Sequence, residues 1–212
     1  LITIVVLLCR FTASAQDFNV DGIYYNVISS SNQTLEVTFR GNTSVSYNEY
    51  YGEVIIPSTV VYNGKKYRVI SIGRGAFHNC SDLTSITFPD GLVSIDYRAF
   101  HNCSGLTSIT LPEGLVSIGE RAFHNCSGLT SITLPEGLTY IDESAFGECS
   151  GLTSVTIESQ AIASKKYLES VFGQQVTTYI LGDGREVNYC PQTININGKI
   201  PEPKYVEKEG GW

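Results

Sequence analysis

The chain contains three histidines, His78, His101 and His124, and they stand 23 residues apart. If successive segments stack at the spacing of paired strands, about 4.8 Å, these imidazoles form a row in which two neighbours could share a metal ion. The competing reading is a solvent-facing polar position copied along with its surroundings, and the next segment breaks the row with Gly147. Asp90, Glu113 and Glu136 form a second row. Calcium wants about six convergent oxygens, and fewer are evident here. Cys80, Cys103, Cys126 and Cys149 form a third row. Equivalent side chains in parallel segments point the same way, which is poor disulfide geometry, and no C-x-x-C pair exists to hold zinc. These thiols therefore read as free, small and buried. Asp17-Phe18-Asn19-Val20-Asp21-Gly22 opens like a calcium loop, but its twelfth position is Ile28 rather than Glu. It reads as a strand entering an Asp-Gly turn. No metal and no cofactor is expected.

Catalytic patterns are missing: there is no G-x-S-x-G, no H-E-x-x-H and no Gly-rich phosphate loop. No residue outside the repeats pairs a nucleophile with a histidine, so the chain is not expected to be an enzyme. The Asn-x-Ser/Thr sites at Asn32, Asn42, Asn79, Asn102 and Asn125 would matter only in a glycosylating secretory pathway, and three of them belong to the repeat. What remains is a hydroxyl face. Thr84, Ser85, Thr87, then Thr107, Ser108, Thr110, then Thr130, Ser131, Thr133, then Thr153, Ser154, Thr156 form a regular grid. Its plain reading is β propensity at water-facing positions. Its functional reading is a platform for a protein or glycan partner, and these twelve residues are the candidate partner-binding site. Ice binding fits less well, because serine breaks the regularity of the threonines.

The element that must position all of these is the repeat itself. Ala76-Phe77, Ala99-Phe100, Ala122-Phe123 and Ala145-Phe146 recur at a period of 23, as do the four cysteines. Between them run L-T-S-I-T-F-P-D-G-L-V-S-I from Leu83, L-T-S-I-T-L-P-E-G-L-V-S-I from Leu106 and L-T-S-I-T-L-P-E-G-L-T-Y-I from Leu129. A unit this short cannot close a core alone and must bury its apolar side against its neighbours. The spacing predicts that Leu83, Ile86, Phe88, Leu92, Ile95, Ala99, Phe100 and Cys103 are buried, with the pattern resuming at Leu106. Thr-Ser-Ile-Thr is β-prone, and Pro89, Pro112 and Pro135 end that strand because proline cannot donate to a ladder. Gly91, Gly114 and Gly137 then turn the chain. Arg98 to Cys103 is too short for a full helix and is expected to form a helical or 3₁₀ turn.

The repeated unit A-F-x-x-C-x-x-L-T-S-I-T-L-P-E-G-L-x-x-I resembles the BspA-like leucine-rich repeat family of secreted and surface proteins, closely over about Val69 to Ile157. It differs from the commoner leucine-rich repeat in having Cys where an Asn ladder would stand. The expected fold is a β-rich α/β solenoid, a right-handed leucine-rich repeat of about five 23-residue coils. One strand spacing per coil makes it roughly 25 Å long. The resemblance implies adhesion through a protein partner, on host matrix or on another cell.

Residues 16–68 lack the period, yet Val54 to Val60 matches Ile109 to Leu115 in spacing, a half repeat. Asn63-Gly64 makes a hairpin of the inserted residues, and Gly22 to Ser29 with Thr34 to Phe39 forms another antiparallel pair. Together these predict an N-terminal β cap over residues 16–68. Tyr24, Tyr25, Tyr47, Tyr50 and Tyr51 crowd this region, as a contact surface or as its own core. Regular repeats follow over 69–157 and an elongated one over 158–190. In that last repeat Ser164 is expected to cap a helix whose Leu168, Val171 and Phe172 share a face. Residues 191–212 read as a polar tail whose last ten residues are expected to be poorly ordered. Residues 1–15, with the apolar run Leu1 to Cys9 and Ala13-Ser14-Ala15, read as a secretory signal peptide. Nine apolar residues are too few to span a bilayer, so no transmembrane segment is expected, and the location implied is secreted or cell-surface. The initiating Met and a basic leader are absent, so the start reads as clipped.

Composition agrees. Fourteen basic residues against 21 acidic ones give a net charge of −7, which removes the electrostatic footprint nucleic acid needs. Charged residues are only 17% of the chain, and the Thr, Ser and Gly that crowd it read as β-rich. A passive spacer in the cell envelope is the alternative to a binding protein.

Overall fold

A computed structural model of the chain describes residues 18–40, 49–163, 168–173, 176, 178–181, 184, 186–188 and 206–207. The expected signal peptide, Asp17, Asn42, Tyr47 and Ser164 lie outside them. Strands β1 (Phe18–Val20) and β2 (Ile23–Ser29) pair antiparallel about Asp21-Gly22, whose φ angles of 51° and 85° suit a two-residue hairpin turn. Strand β3 (Thr34–Thr38) pairs antiparallel with β2. Strand β4 (Gly52–Ile55) is followed by the hairpin of β5 (Thr59–Tyr62) and β6 (Lys65–Ile72), which turns at Asn63-Gly64. Strand β6 also pairs parallel with β3. Strand β4 pairs parallel with β7 (Leu83–Thr87), setting Val54 opposite Ile86.

The remaining elements are β8 (Ser94–Ile95), β9 (Ser117–Ile118), β10 (Ser131–Leu134), β11 (Tyr140–Ile141), β12 (Ser154–Ile157), α1 (Gln160–Ala163), α2 (Leu168–Phe172), β13 (Thr178–Leu181), β14 (Glu186–Asn188) and β15 (Val206–Glu207). Strands β6, β8, β9 and β11 pair in parallel, so Ser71, Ser94, Ser117 and Tyr140 stand in one line. On the other side of each repeat β10, β12 and β13 pair in parallel, and β14 and β15 extend that sheet antiparallel. Val206–Glu207 thus adds a strand inside the tail expected to be poorly ordered, since β14 offers it a free edge.

Between the β6–β8–β9–β11 side and the side formed by β4–β7 and β10–β12–β13 lies one continuous apolar column. All eight predicted inward residues, Leu83 to Cys103, are buried, and so is Leu106. Its spine is a pile of rings: Phe77, Phe100, Phe123 and Phe146 stack at centroid spacings of 4.8, 5.0 and 5.0 Å. Tyr50 continues the pile at one end, 4.5 Å from Phe77, and Phe172 at the other, 5.3 Å from Phe146. Tyr50 and Tyr25 are therefore core, while Tyr51 is 74% exposed.

Two expectations fail, each for a physical reason, and a third feature was not expected. The Arg98–Cys103 segment forms linked turns, with no helical or 3₁₀ turn. Arg98 and Asn102 have φ of 53° and 64°, which puts them in the left-handed region and breaks any helix. The gain is a split of donors. The N–H groups of Ala99, His101 and Cys103 bond three residues back within the turn, whereas those of Arg98, Phe100 and Asn102 reach the carbonyls of Glu120, Ala122 and His124 in the next repeat. A helix would turn every N–H along its own axis and leave none to join the repeats. Second, the hexapeptide L-T-S-I-T-L forms a strand at Leu129, where β10 meets β12, but not at Leu106, although the two copies are identical. Among the described residues Leu106 to Leu111 has no bonded strand partner, Ile109 is only half-buried, and the preceding repeat carries Phe88, just past the end of β7, where the later repeats carry Leu. Pairing needs a neighbour at bonding distance, which no six-residue text specifies. Third, α1 was not foreseen. Its cap is Ser159, whose oxygen accepts the Ile162 N–H at 3.3 Å.

Candidate binding surface and side-chain ladders

Alternation along the Thr/Ser strands sends one set of side chains inward and leaves the hydroxyls outside. Thr84, Thr87, Thr107, Ser108, Thr110, Thr130, Ser131, Thr133 and Thr153 are exposed, and Ser85, Ser154 and Thr156 are half-buried. The grid is split rather than continuous, because the Leu106 to Leu111 copy separates the β4–β7 pair from the β10 sheet. Asp90, Glu113 and Glu136 are exposed at their turns. Gly91, Gly114 and Gly137 sit in those turns with φ outside the left-handed region.

The histidines form a closer structure than the expected solvent-facing slot. His78 and His101 stack at 5.0 Å and 13°, and His101 and His124 at 5.1 Å and 3°. All three Nδ1 atoms are buried with no hydrogen-bond partner. Near-parallel rings 5 Å apart aim equivalent nitrogens the same way and too widely to share a metal at the roughly 2.0–2.1 Å that zinc requires. Among the described residues no group of three His, Cys, Asp or Glu could hold a metal ion. Burial, reinforced by the flanking imidazoles and then by Arg98 and Arg121, lowers His101 to about 4. Burial and then Arg98 lower His78; burial and the two arginines lower His124 against the opposing pull of Glu148, 3.9 Å from its Nε2. The unfolded chain therefore binds more protons than the folded one across this range. Stability from the stack is fully present above the ordinary histidine pKa of 6.5 and is lost as pH falls towards 4. The thermal midpoint is expected to drop by at least about 5 °C between pH 7.5 and 4.5, and by less when His78, His101 and His124 are all changed to glutamine. An equal drop in both proteins, followed by circular dichroism, would remove the stack as the cause.

The cysteines and asparagines are also ladders. The Sγ atoms of Cys103, Cys126 and Cys149 donate to the carbonyls of Phe77, Phe100 and Phe123 at 3.0–3.1 Å, so the thiols are polar partners as well as filling. Burial pushes the Cys80 thiol up to about 11 and raises Cys126 further, while contact with Cys126, followed by burial, raises Cys149. Such thiols stay protonated and unreactive. An Asn ladder does exist, one residue before the Cys row: Asn102 Nδ2 donates to Asn79 Oδ1 at 2.8 Å and Asn125 Nδ2 to Asn102 Oδ1 at 3.0 Å. Its sequence signal was the same 23-residue recurrence, read only as a glycosylation pattern. The β8–β9–β11 side also carries Tyr97, Gly119 and Tyr140, residues that depart from the repeat and to which a periodic pattern gives no signal.

The sequence profile described as BspA type Leucine rich repeat region matches residues 43–172 in six copies. A leucine-rich repeat protein from Bacteroides capillosus is similar in structure, with 28% identity and a TM-score of 0.56 over 66% of this chain and 97% of that one. Another, from Bacteroides ovatus, has 29% identity and a TM-score of 0.53 over 78% of this chain and 47% of its own. The T. pallidum leucine-rich repeat protein has 22% identity and a TM-score of 0.55, covering 78% and 81%, a likeness of fold alone. No curated protein matches by sequence. Among the described residues no helix is long and apolar enough to cross a membrane.

Proposed function

The chain belongs to the BspA-type leucine-rich repeat family, and on that premise we propose that it is a non-catalytic, secreted or cell-surface binding protein of bacterial type, serving adhesion. Its partner is a protein of host matrix or of another cell surface, or a glycan. In this reading residues 1–15 are a signal peptide, 16–68 a β cap, 69–157 a right-handed solenoid of 23-residue coils, 158–190 an elongated coil and 191–212 a tail. The observation that supports it is the exposed hydroxyl grid, of which Thr87, Thr110 and Thr133 point outward from three successive repeats. Surfaces of this kind on repeat stacks offer extended area without chemistry. The monotony of the grid favours a second reading, a passive spacer in the envelope, because energetic hot spots are usually aromatic or Arg.

The test is a pull-down with the immobilised full chain against matrix proteins and intact cells, beside a variant carrying Thr87→Lys, Thr110→Lys and Thr133→Lys, with folding of both followed by circular dichroism. Saturable binding that the variant loses by at least about tenfold supports the grid as the site. Binding retained by the variant moves the site off the grid. No binding by well-folded protein favours the spacer.

A further inference from the structure

The side of the stack opposite the hydroxyl grid is where the repeat is broken. Asp96, Gly119 and Asp142 occupy one repeat position, and Ser94, Ser117 and Tyr140 another. Gly119 carries no side chain between the two aspartates, since the Tyr97 nitrogen and the Asp96 carbonyl carbon lie 2.9 and 3.0 Å from where its Cβ would stand, and Tyr140 raises a ring, 48% exposed, where the preceding repeats carry a serine. The result is a trough of about 320 Å³ lined by Asp96, Tyr97, Glu120, Tyr140 and Asp142 over a floor of Ser94, Ile95, Ser117 and Gly119. Its aspartate walls are two repeats apart, roughly 10 Å at the 5.0 Å ring spacing of this part of the stack.

The walls are charged and partly committed. Asp96 Oδ1 accepts the Tyr97 N–H at 2.6 Å, and Asp142 Oδ1 accepts the Glu143 N–H at 2.8 Å. Asp142 Oδ2 accepts the Tyr140 hydroxyl at 3.0 Å, which fixes that ring beside the gap. Asp96 Oδ2 has no protein partner among the described residues, and the Glu120 carboxylate lies 3.7 Å from the exposed Arg121. The chain itself shows what Tyr97 accepts: the Cζ atoms of Arg74 and Arg98 lie 4.6 and 4.9 Å from its ring centroid. A divalent cation is a poor occupant, because carboxylates this far apart do not converge. A neutral sugar on Tyr140 would donate its hydroxyls to these carboxylates but would leave their charge uncompensated, whereas a cation uses both.

We propose that the trough receives an arginine side chain from a basic segment of a partner protein, its guanidinium seated in the trough between Asp96 and Asp142 and against Tyr140. The guanidinium is flat, carries five donors in a fixed fork and stacks on aromatic faces, so it can address both walls at once. The net charge of −7 draws a basic partner to the surface before contact. This inference rests on the binding reading above and names a second face and a chemistry for it.

The test is a titration of the ¹⁵N-labelled full chain with acetyl-Gly-Arg-Gly-amide, beside acetyl-Gly-Gln-Gly-amide and N-acetylglucosamine, followed by amide chemical shifts. The arginine peptide alone is expected to move Gly119, Glu120 and Tyr97. The response should weaken several-fold in about 0.5 M salt. A variant with Asp96→Asn and Asp142→Asn keeps both Oδ1 acceptors and removes the charge; its affinity is expected to fall by at least about fivefold. Equal response to the glutamine peptide, shifts confined to other surfaces, or a response to the sugar alone would each overturn the proposal. Should the variant fail to fold, mapping on the unaltered chain decides. If the chain captures a partner in the pull-down while the trough stays silent, the trough fails and the binding reading stands; if both are silent, both fail.

Discussion

Changing Phe123 to alanine is expected to destabilise the protein by about 4 kcal/mol, near the upper end of what a buried phenylalanine costs when truncated. Phe123 has no exposed surface, and its ring stacks on Phe100 and Phe146 at 5.0 Å on both sides. The cavity left would be flanked by rings held in place by their own repeats, which limits collapse. Stacked repeats are stabilised chiefly by contacts between neighbours, so losing a central ring weakens two interfaces together. Phe172, at the end of the pile, faces Phe146 at 5.3 Å and meets Tyr179 edge-on at 6.0 Å. Its alanine variant should lose about 1–2 kcal/mol less than that of Phe123, since aromatic pairs contribute roughly 0.5–1.5 kcal/mol each. Urea denaturation of the two variants measures both numbers. A loss below about 1.5 kcal/mol at Phe123 would mean that the ring pile is not the spine of the stack.

A second large effect is expected from adding a single methyl group at Gly128. A Cβ there would lie 2.5 Å from the Ser104 carbonyl oxygen and 2.9 Å from that of Leu106, both backbone atoms of the preceding repeat. No side chain can swing away to relieve the contact, so the repeats must separate. Gly128→Ala should destabilise by about 3 kcal/mol, at the upper end of typical overpacking costs. Gly91→Ala is the control: nothing lies within 4 Å of its Cβ position, and its φ is not left-handed. There the change should be neutral or stabilising by about 0.4–1 kcal/mol, because alanine restricts the unfolded chain. Equal effects at the two glycines, read from urea midpoints at matched slopes, would show that Gly128 is not the close-approach point.

Much of this was legible beforehand, and the reason is periodicity. Burial at Leu83, Ile86, Leu92, Ile95, Ala99 and Phe100 follows from a unit too short to close its own core, whatever the details of pairing. The turns at Asp21-Gly22 and Asn63-Gly64 were readable because few residues adopt those dihedrals without strain. Of the candidate site, the outward direction of Thr87 and Thr133 follows from strand alternation, and Thr110 is exposed at the same repeat position without a paired strand.

Other features needed the neighbouring repeat in place. Identical L-T-S-I-T-L segments differ in pairing, and the Asn and His ladders become visible only when each residue meets its copy one period away. The sequence by itself determined which positions face inward, since burial is a property of pattern and composition. Tertiary structure alone decided which backbone groups join repeats, which histidines lose water and where Asp96, Tyr140 and Asp142 come to line one trough, because each depends on distances between segments 23 residues apart. Hydrophobic burial is nondirectional and survives coarse reading. Hydrogen bonds and close contacts are short-ranged and directional, so only the assembled stack defines them.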